Sequence, residues 1–474
     1  MSGVCSVHPS VNSLYELLLH EVREISNYLV KLNEFKIQNK SAMEFCIDVL
    51  SIFMINTSFN QAKYLDLIKK LSSLKLEIKE KYIAYCRENR LPCEILNSNF
   101  ELREKLTVNE LINISQEYIS TKINTCDRAK LGLFEVITIF ARLCAINISK
   151  IKKLDKNYTE FDFELIRFFA LTSASSIKNE KIKRRIVEFS STAFKIKQKL
   201  YNLYEEKYGT KTNTRIKTSN IKGHCVLVSG DDPDELYDLL KNIEAANPKE
   251  EINVYTNGAL FLAHTYPYFK NNKLLKGHFG SDSAEYDFSI FPGAILITRN
   301  FVQKIDSLYR GELFSNNLIS FDKVFSIENG DYSPVVESSL KLTGFSKNED
   351  DKYVEINYEK EEILNSVDKI IDSKAVIIMG GGNETKEEQY NNSSIININF
   401  SYGIDFIVEL IEKLNSRNIE TTVFFAQCNL MSLEGVLMLL DKKINLIIAD
   451  CPRSFINPHI LDSLKEEFKV QVIN

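Results

Sequence analysis

Residues 224–246, HCVLVSGDDPDELYDLLKNIEAA, decide how the chain is read. A short apolar run ends in Gly230, an acidic stretch carrying Pro233 follows, and apolar residues then recur at three- and four-residue spacing. Proline suits the first helical position because its missing N–H would be unpaired there anyway, and carboxylates favour the positive end of the helix dipole. The stretch is therefore a strand, a loop and a helix. INVYTNG (252–258) before AHTYPYFK (263–270) and GAILITRN (293–300) before FVQKIDSLY (301–309) repeat the alternation. KAVIIMGGG (374–382), TTVFFAQ (421–427) before SLEGVLMLL (432–440), and NLIIADCPRSF (445–455) before PHILDSLKEEF (458–468) form a second set. Strands alternating with helices predict largely parallel sheets with helices packed on them.

Upstream the pattern differs. Residues 10–208 read as helix after helix, as in VNSLYELLLHEVREISNYLVKL (11–32) and GLFEVITIFARLCAINISKI (132–151). No glycine stands between Val4 and Leu131, and Pro9 and Pro92 are the only prolines there, so polar clusters such as NTSFN (56–60) must break the helices. The predicted fold is multidomain α and α/β. A helical bundle domain at 1–215 is followed by two Rossmann-like, doubly wound α/β domains at 216–355 and 356–474, the last boundary lying in the charged stretch SKNEDDKY.

The chain has 474 residues, 44% hydrophobic and 26% charged, with a net charge of −5. This composition is globular, and lysines spread along helices give little support to a nucleic-acid face. The first residues lack a basic region followed by a long apolar stretch, so a cytoplasmic protein without membrane association is expected. Nine cysteines, with no CxxC, argue against a disulfide framework, and the six histidines contain no HExxH zinc signature.

In open α/β sheets ligands sit beyond the carboxyl ends of the strands. Those ends are 229–232, 256–259, 298–301, 380–383, 427–429 and 450–453. The three glycines 380–382 could cradle an anion, but the sequence matches neither phosphate-loop pattern and the next segment opens with Glu384. The run Asp231, Asp232, Asp234, Glu235 reads either as a divalent-cation site or as an acidic helix start. Cys225, Cys428 and Cys451 could form a metal site, or Cys225 is simply a small apolar strand residue.

Read in order, GHCVLVSGDD (223–232), INVYTNGALFLAHTYPYFK (252–270), FPGAILITRN (291–300), DYSPVVE (331–337) and FINPHIL (455–461) resemble the hybrid cluster protein family. This is the prismane or hydroxylamine reductase family, related to carbon monoxide dehydrogenase. YGTKTNTRIKTSNIKG (208–223), GVCSVHPSVNSLYELLLHEVREIS (3–26) and FMINTSFN (53–60) extend the resemblance over nearly the whole chain. It implies a helical domain and two α/β domains, with a hybrid iron–sulfur–oxygen cluster where the three meet and a cubane cluster near the N-terminus.

At the positions where the resemblance sets cluster ligands, this chain departs from the family. Asp231 stands for a histidine, Ala259 for a glutamate, Phe301 for a cysteine and Gly381 for the persulfide-bearing cysteine. Asn429 and Met431 stand for the closing glutamate and its neighbouring lysine, and Cys5 is left of the cubane motif. Arg299, His264, Cys428 and Cys451 are candidate linings of the same pocket, with Arg299 either binding an acidic ligand or pairing with Asp231. His264 is either such a lining residue or a structural hydrogen-bonding group. The resemblance with these departures implies a divergent, cluster-free member acting through binding or assembly, no cofactor, and pairing with itself or with a catalytic homologue. The alternative is a hydroxylamine- or nitric-oxide-reducing oxidoreductase with a rewired metal centre using Cys428 or Cys451.

Overall fold

The computed structural model describes residues 9–52, 61–95, 106–173, 176–280, 284–298, 312–316, 324–380, 393–427, 429–449 and 458–473. Among the described residues seven α-helices come first: α1 (Pro9–Glu34), α2 (Lys40–Leu50), α3 (Gln61–Glu88), α4 (Val108–Thr125), α5 (Arg128–Leu154), α6 (Asp162–Ala170) and α7 (Asn179–Tyr208). The NTSFN cluster lies outside the described residues. Asn39 and Asp127 start α2 and α5 by accepting from Ala42 N and Lys130 N, which satisfies end N–H groups no helical carbonyl can reach. α5 is the one helix among the described residues long and apolar enough to cross a membrane. Since 89% of that apolar window is buried between α2, α6, α7 and a helix from the end of the chain, packing accounts for its character.

Two parallel sheets follow. The first is built from β2 (His224–Ser229), β3 (Ile252–Asn257), β4 (Leu275–His278), β5 (Ala294–Ile297), β6 (Leu313–Ser315) and β7 (Phe325–Ser326). Its order is β4-β3-β2-β5-β6-β7, that is 3-2-1-4-5-6. The second contains β9 (Lys374–Met379), β10 (Ser394–Ile398), β11 (Glu420–Phe425), β12 (Asn445–Ala449) and β13 (Gln471–Ile473), ordered β10-β9-β11-β12-β13, that is 2-1-3-4-5. Both orders reverse direction once, between β2 and β5 and between β9 and β11, and such a reversal opens a crevice at the strand ends. The alternation read from sequence thus becomes a mixed α/β structure with parallel sheets.

The helices among these strands are α8 (Pro233–Ala246), α9 (Pro267–Lys270), α10 (Ala284–Ile290), α11 (Ser333–Lys341), α12 (Lys360–Val367), α13 (Gly403–Ser416), α14 (Leu430–Met438) and α15 (Pro458–Phe468). AHTYPYFK does not make one regular helix. A 3-10 helix over Gly258–Thr265 gives way to the short α9, because Pro267 has no N–H to continue the ladder. SKNEDDKY runs into β8 (Tyr353–Ile356), which pairs antiparallel with β1 (Thr214–Lys217), so the chain enters and leaves the first sheet side by side.

One connector residue touches every part. Lys211, between α7 and β1, donates to Ser401 O at 2.7 Å and lies 5.2, 5.4 and 5.8 Å from the rings of Tyr201, Tyr266 and Tyr358. Burial lowers its ammonium to about 8, with Asp405 opposing the shift.

Close packing at the start of β2 gives a direct test. Gly344 has φ +63°, and a Cβ there would stand 2.0 Å from the Gly223 carbonyl oxygen, a backbone atom with no rotamer to yield. Gly344→Ala is expected to cost about 1–3 kcal/mol, as overpacking does, read as a lowered urea midpoint.

Candidate functional site

At both crevices the described strand ends are joined by hydrogen bonds. At the first, Thr298 N donates to Ser229 O at 2.8 Å and Asp231 N donates to Thr298 Oγ1 at 3.2 Å. At the second, Gln427 Nε2 donates to Gly380 O at 2.9 Å and Asn429 Nδ2 to Gln427 Oε1 at 3.3 Å. Gly380 is required as glycine: its φ is +74°, and a Cβ would meet the Phe400 ring at 2.2 Å. The first of the three glycines is therefore fixed by the turn itself. Gly381, Phe301, Arg299, Cys428, Cys451 and Cys5 lie outside the described residues.

The two crevices meet the same face of α5. Lys150 Nζ lies 2.9 Å from Asp231 Oδ2, and Asn147 Nδ2 donates to Glu434 Oε1 on α14 at 2.7 Å. Three residues advance a helix by about 4.5 Å, so the end of β2 and the first turns of α14 sit nearly side by side. From α7, Lys197 adds an ion pair to Glu434 at 2.8 Å, and Ser190 Oγ donates to Leu437 O at 2.7 Å.

The acidic run after β2 is a helix start held by cations of the protein. Asp232 caps α8 by accepting from Asp234 N at 3.0 Å. Lys153 lies 2.8 Å from Asp232 and 3.2 Å from Glu235, and Lys207 lies 2.7 Å from Asp234, which also accepts from the Tyr208 hydroxyl. Burial, then the Asp232 charge, raises the Asp234 carboxyl above its ordinary value despite Lys207 and Tyr208. In sequence, Lys150, Lys153 and Lys207 are among the lysines spread along helices, and nothing there marks them as partners of the acidic run. Glu434 did give a signal, as a lone carboxylate in the apolar helix LMSLEGVLM.

The other described positions are also engaged. Ala259, half-buried in the 3-10 helix, carries no donor. The preceding Asn257 accepts from Ser229 Oγ at 2.7 Å and donates to Phe279 O at 2.9 Å and Asp287 Oδ2 at 3.0 Å. Asn429 caps α14 by accepting from Ser432 N at 2.8 Å, while Met431 is exposed. Iron–sulfur clusters are held by thiolates. Among the described residues, Asp231, Ala259, Asn429 and Met431 bring an ion-paired carboxylate, no donor, a capping carboxamide and a thioether, and none of the four is a thiolate. Cys225 lies four residues before the end of β2, buried against Leu227, Tyr255 and Phe291, and burial lifts its thiol to about 12.

His264 is buried and hydrogen-bonded. Its Nε2 lies 2.8 Å from Thr256 Oγ1, and the same hydroxyl meets His278 Nδ1 at 2.9 Å. Burial, then the neighbouring His278, pushes His264 down to about 3, and burial pushes His278 to about 4. Elsewhere, His20, Glu21 and Glu24 bring ligand atoms within 4.8 Å of one another. Lys75 lies 2.9 Å from Glu21 and 3.1 Å from Glu24, so an ammonium already supplies the positive charge.

The model of the Prismane/CO dehydrogenase family matches residues 1–436. The hydroxylamine reductase of Actinobacillus succinogenes is 26% identical over 404 residues, 82% of this chain and 71% of the relative. That of Acidiphilium cryptum is 23% identical over 373 residues, 78% and 66% respectively, and that of Kosmotoga olearia is 26% identical over 413 residues, 82% and 72%. The matched region thus spans about two thirds of the length of these curated relatives, 66% in the first.

Two outcomes follow from the charges. Lys153→Met leaves the buried carboxylates of Asp232 and Glu235 without its ammonium and should cost about 3–5 kcal/mol. Lys341→Met, at an exposed pair with Glu337, should cost well under about 1 kcal/mol in the same urea titration. The histidines set a pH dependence. Their folded values of about 3 and about 4 lie below the ordinary 6.5, so the unfolded chain binds more protons between these limits. Their contribution is fully present above about 6.5 and is lost as pH falls toward 3. Glu21, raised by burial to about 7, acts in the opposite sense, so the comparison is with His264→Gln, whose melting temperature should fall less between pH 6.5 and 4 than that of the parent.

Proposed function

The chain belongs to the Prismane/CO dehydrogenase family, and on that premise we propose that it is a divergent member which holds no iron–sulfur cluster and works by binding or assembly. On this reading the helical domain (1–215) and the two α/β domains (216–355 and 356–474) keep the hybrid-cluster arrangement, while the strand ends serve as joints between them. The observation that carries it is the Lys150–Asp231 contact of 2.9 Å. Where the resemblance sets a histidine ligand, a carboxylate is neutralised by an ammonium from the helical layer. The ammonium, whose side chain is only 6% exposed, already supplies a positive charge to this carboxylate, and leaving it buried without a partner is costly. Asn429 supports the same reading, since its oxygen is used in capping α14. Pairing with another copy or with a catalytic homologue is the form of assembly proposed.

The test is chemical analysis of protein prepared without oxygen. The expected product is colourless, lacks stoichiometric iron and labile sulfide, and does not turn over hydroxylamine with a reduced dye. A brown protein carrying several irons per chain, or hydroxylamine turnover abolished by Cys428→Ser or Cys451→Ser, would overturn the proposal in favour of an oxidoreductase with a rewired metal centre. Mass measurement after co-purification from the native host tests assembly, and a strict monomer is the contrary result.

A further inference from the structure

The end of α3 brings two cysteines together. Arg90 adopts φ +54°, Arg90 N donates to Arg87 O at 3.3 Å and Leu91 N to Cys86 O at 2.8 Å. This is the paired C-terminal cap that turns a chain sharply back along its own helix. The returning segment is then pinned one turn further up: Glu94 N donates to the Tyr82 hydroxyl at 3.3 Å, and Lys31 of α1 donates to Glu94 O at 2.7 Å. Cys93 lies between these two anchors. Tyr82 and Cys86 are one helical turn apart on the same face, so the segment pinned at Leu91 and Glu94 carries Cys93 back alongside Cys86. Cys86 is 1% exposed, whereas Cys93 is open to solvent.

We infer that Cys86 and Cys93 form a thiol pair that exchanges with small-molecule disulfides, Cys93 taking the attack and Cys86 resolving it. In the first step the Cys93 thiolate attacks one sulfur of the external disulfide; a mixed disulfide forms and one thiolate leaves, collecting a proton. In the second, the Cys86 thiolate attacks Cys93 Sγ, the Cys86–Cys93 bond forms and the second external thiol is released. Two protein thiols are oxidised, one external disulfide is reduced, and the two protons end on the departing thiols. An exposed entry thiol and an adjacent buried one are what this sequence needs, since exchange depends on access to the attacked sulfur. Desolvation and the hydrogen bond shared with Cys86 hold the Cys93 thiol above its ordinary value, with Lys31 and Arg87 opposing, so exchange accelerates as pH rises. Oxidation would clamp the return segment to α3, beside the Lys31 contact with α1.

The experiment uses the full chain incubated with oxidised glutathione at mildly alkaline pH, quenched with acid, alkylated, and analysed by intact and peptide mass. The expected result is a mass lower by two hydrogens and a peptide joining residues 86 and 93. Cys93→Ser, at an exposed position that tolerates the change, should lose the joined peptide completely and leave Cys86 unmodified. Cys86→Ser should accumulate glutathione on Cys93. The inference is overturned if the parent protein keeps a stable glutathione adduct at Cys93, if either cysteine is joined elsewhere, or if both remain fully alkylatable.

Discussion

Ammonium groups on α5 and α7 facing carboxylates at the strand ends are the contact on which the arrangement of this chain depends. Lys150 and Lys153 meet Asp231, Asp232 and Glu235, Lys207 meets Asp234, and Lys197 meets Glu434. Four carboxylates packed at the start of α8 would repel one another if left alone. The helix dipole offsets part of that repulsion, but it amounts to about half an elementary charge. The lysines supply the rest. Such buried pairs add little net stability over apolar packing, while leaving one member unpaired costs several kcal/mol. They therefore act chiefly on orientation: the first sheet fits the helical layer only where each carboxylate meets its ammonium.

How much of this was legible in the sequence follows from the range of the interactions involved. HCVLVSG and its helix could be read because a fully buried parallel strand is a continuous apolar run, and Asp232-Pro233 marks a helix start. β6 and β7, three and two residues long, and β1 with β8 could not, since TRIK and YVEI carry no apolar run and become strands only by pairing with each other. The strand ends around Asp231 and Gly380 followed from topology. Their partners did not: Lys150, Lys153 and Lys197 sit in amphipathic helices where a lysine ordinarily faces water, and only tertiary packing turns them inward. Nor did the Cys86–Cys93 contact, which requires the non-glycine Arg90 to take a left-handed conformation.

The histidine pair shows the same principle without charge. Thr256 offers one hydroxyl to two rings, and with one O–H and two lone pairs it can serve both, either donating to one nitrogen and accepting from the other or accepting from both. Burial keeps both imidazoles neutral by depressing both groups. Together with the Ser229–Asn257–Asp287 chain of hydrogen bonds, this shared hydroxyl ties β2, β3, β4 and α10 at the open end of the first sheet. The end of a parallel sheet is normally the freest part of the fold, and here it is braced from both sides.

A brace and a ligand site compete for the same atoms. A carboxylate oxygen held at 2.9 Å by a buried ammonium has a lone pair engaged and its charge offset. A carboxamide oxygen accepting from Ser432 N has its direction fixed along the axis of α14. Both residues lie at reversals of strand order, the places where α/β sheets ordinarily leave an opening. At each reversal a hydrogen bond joins the neighbouring strand ends, through Thr298 on one side and Gln427 on the other.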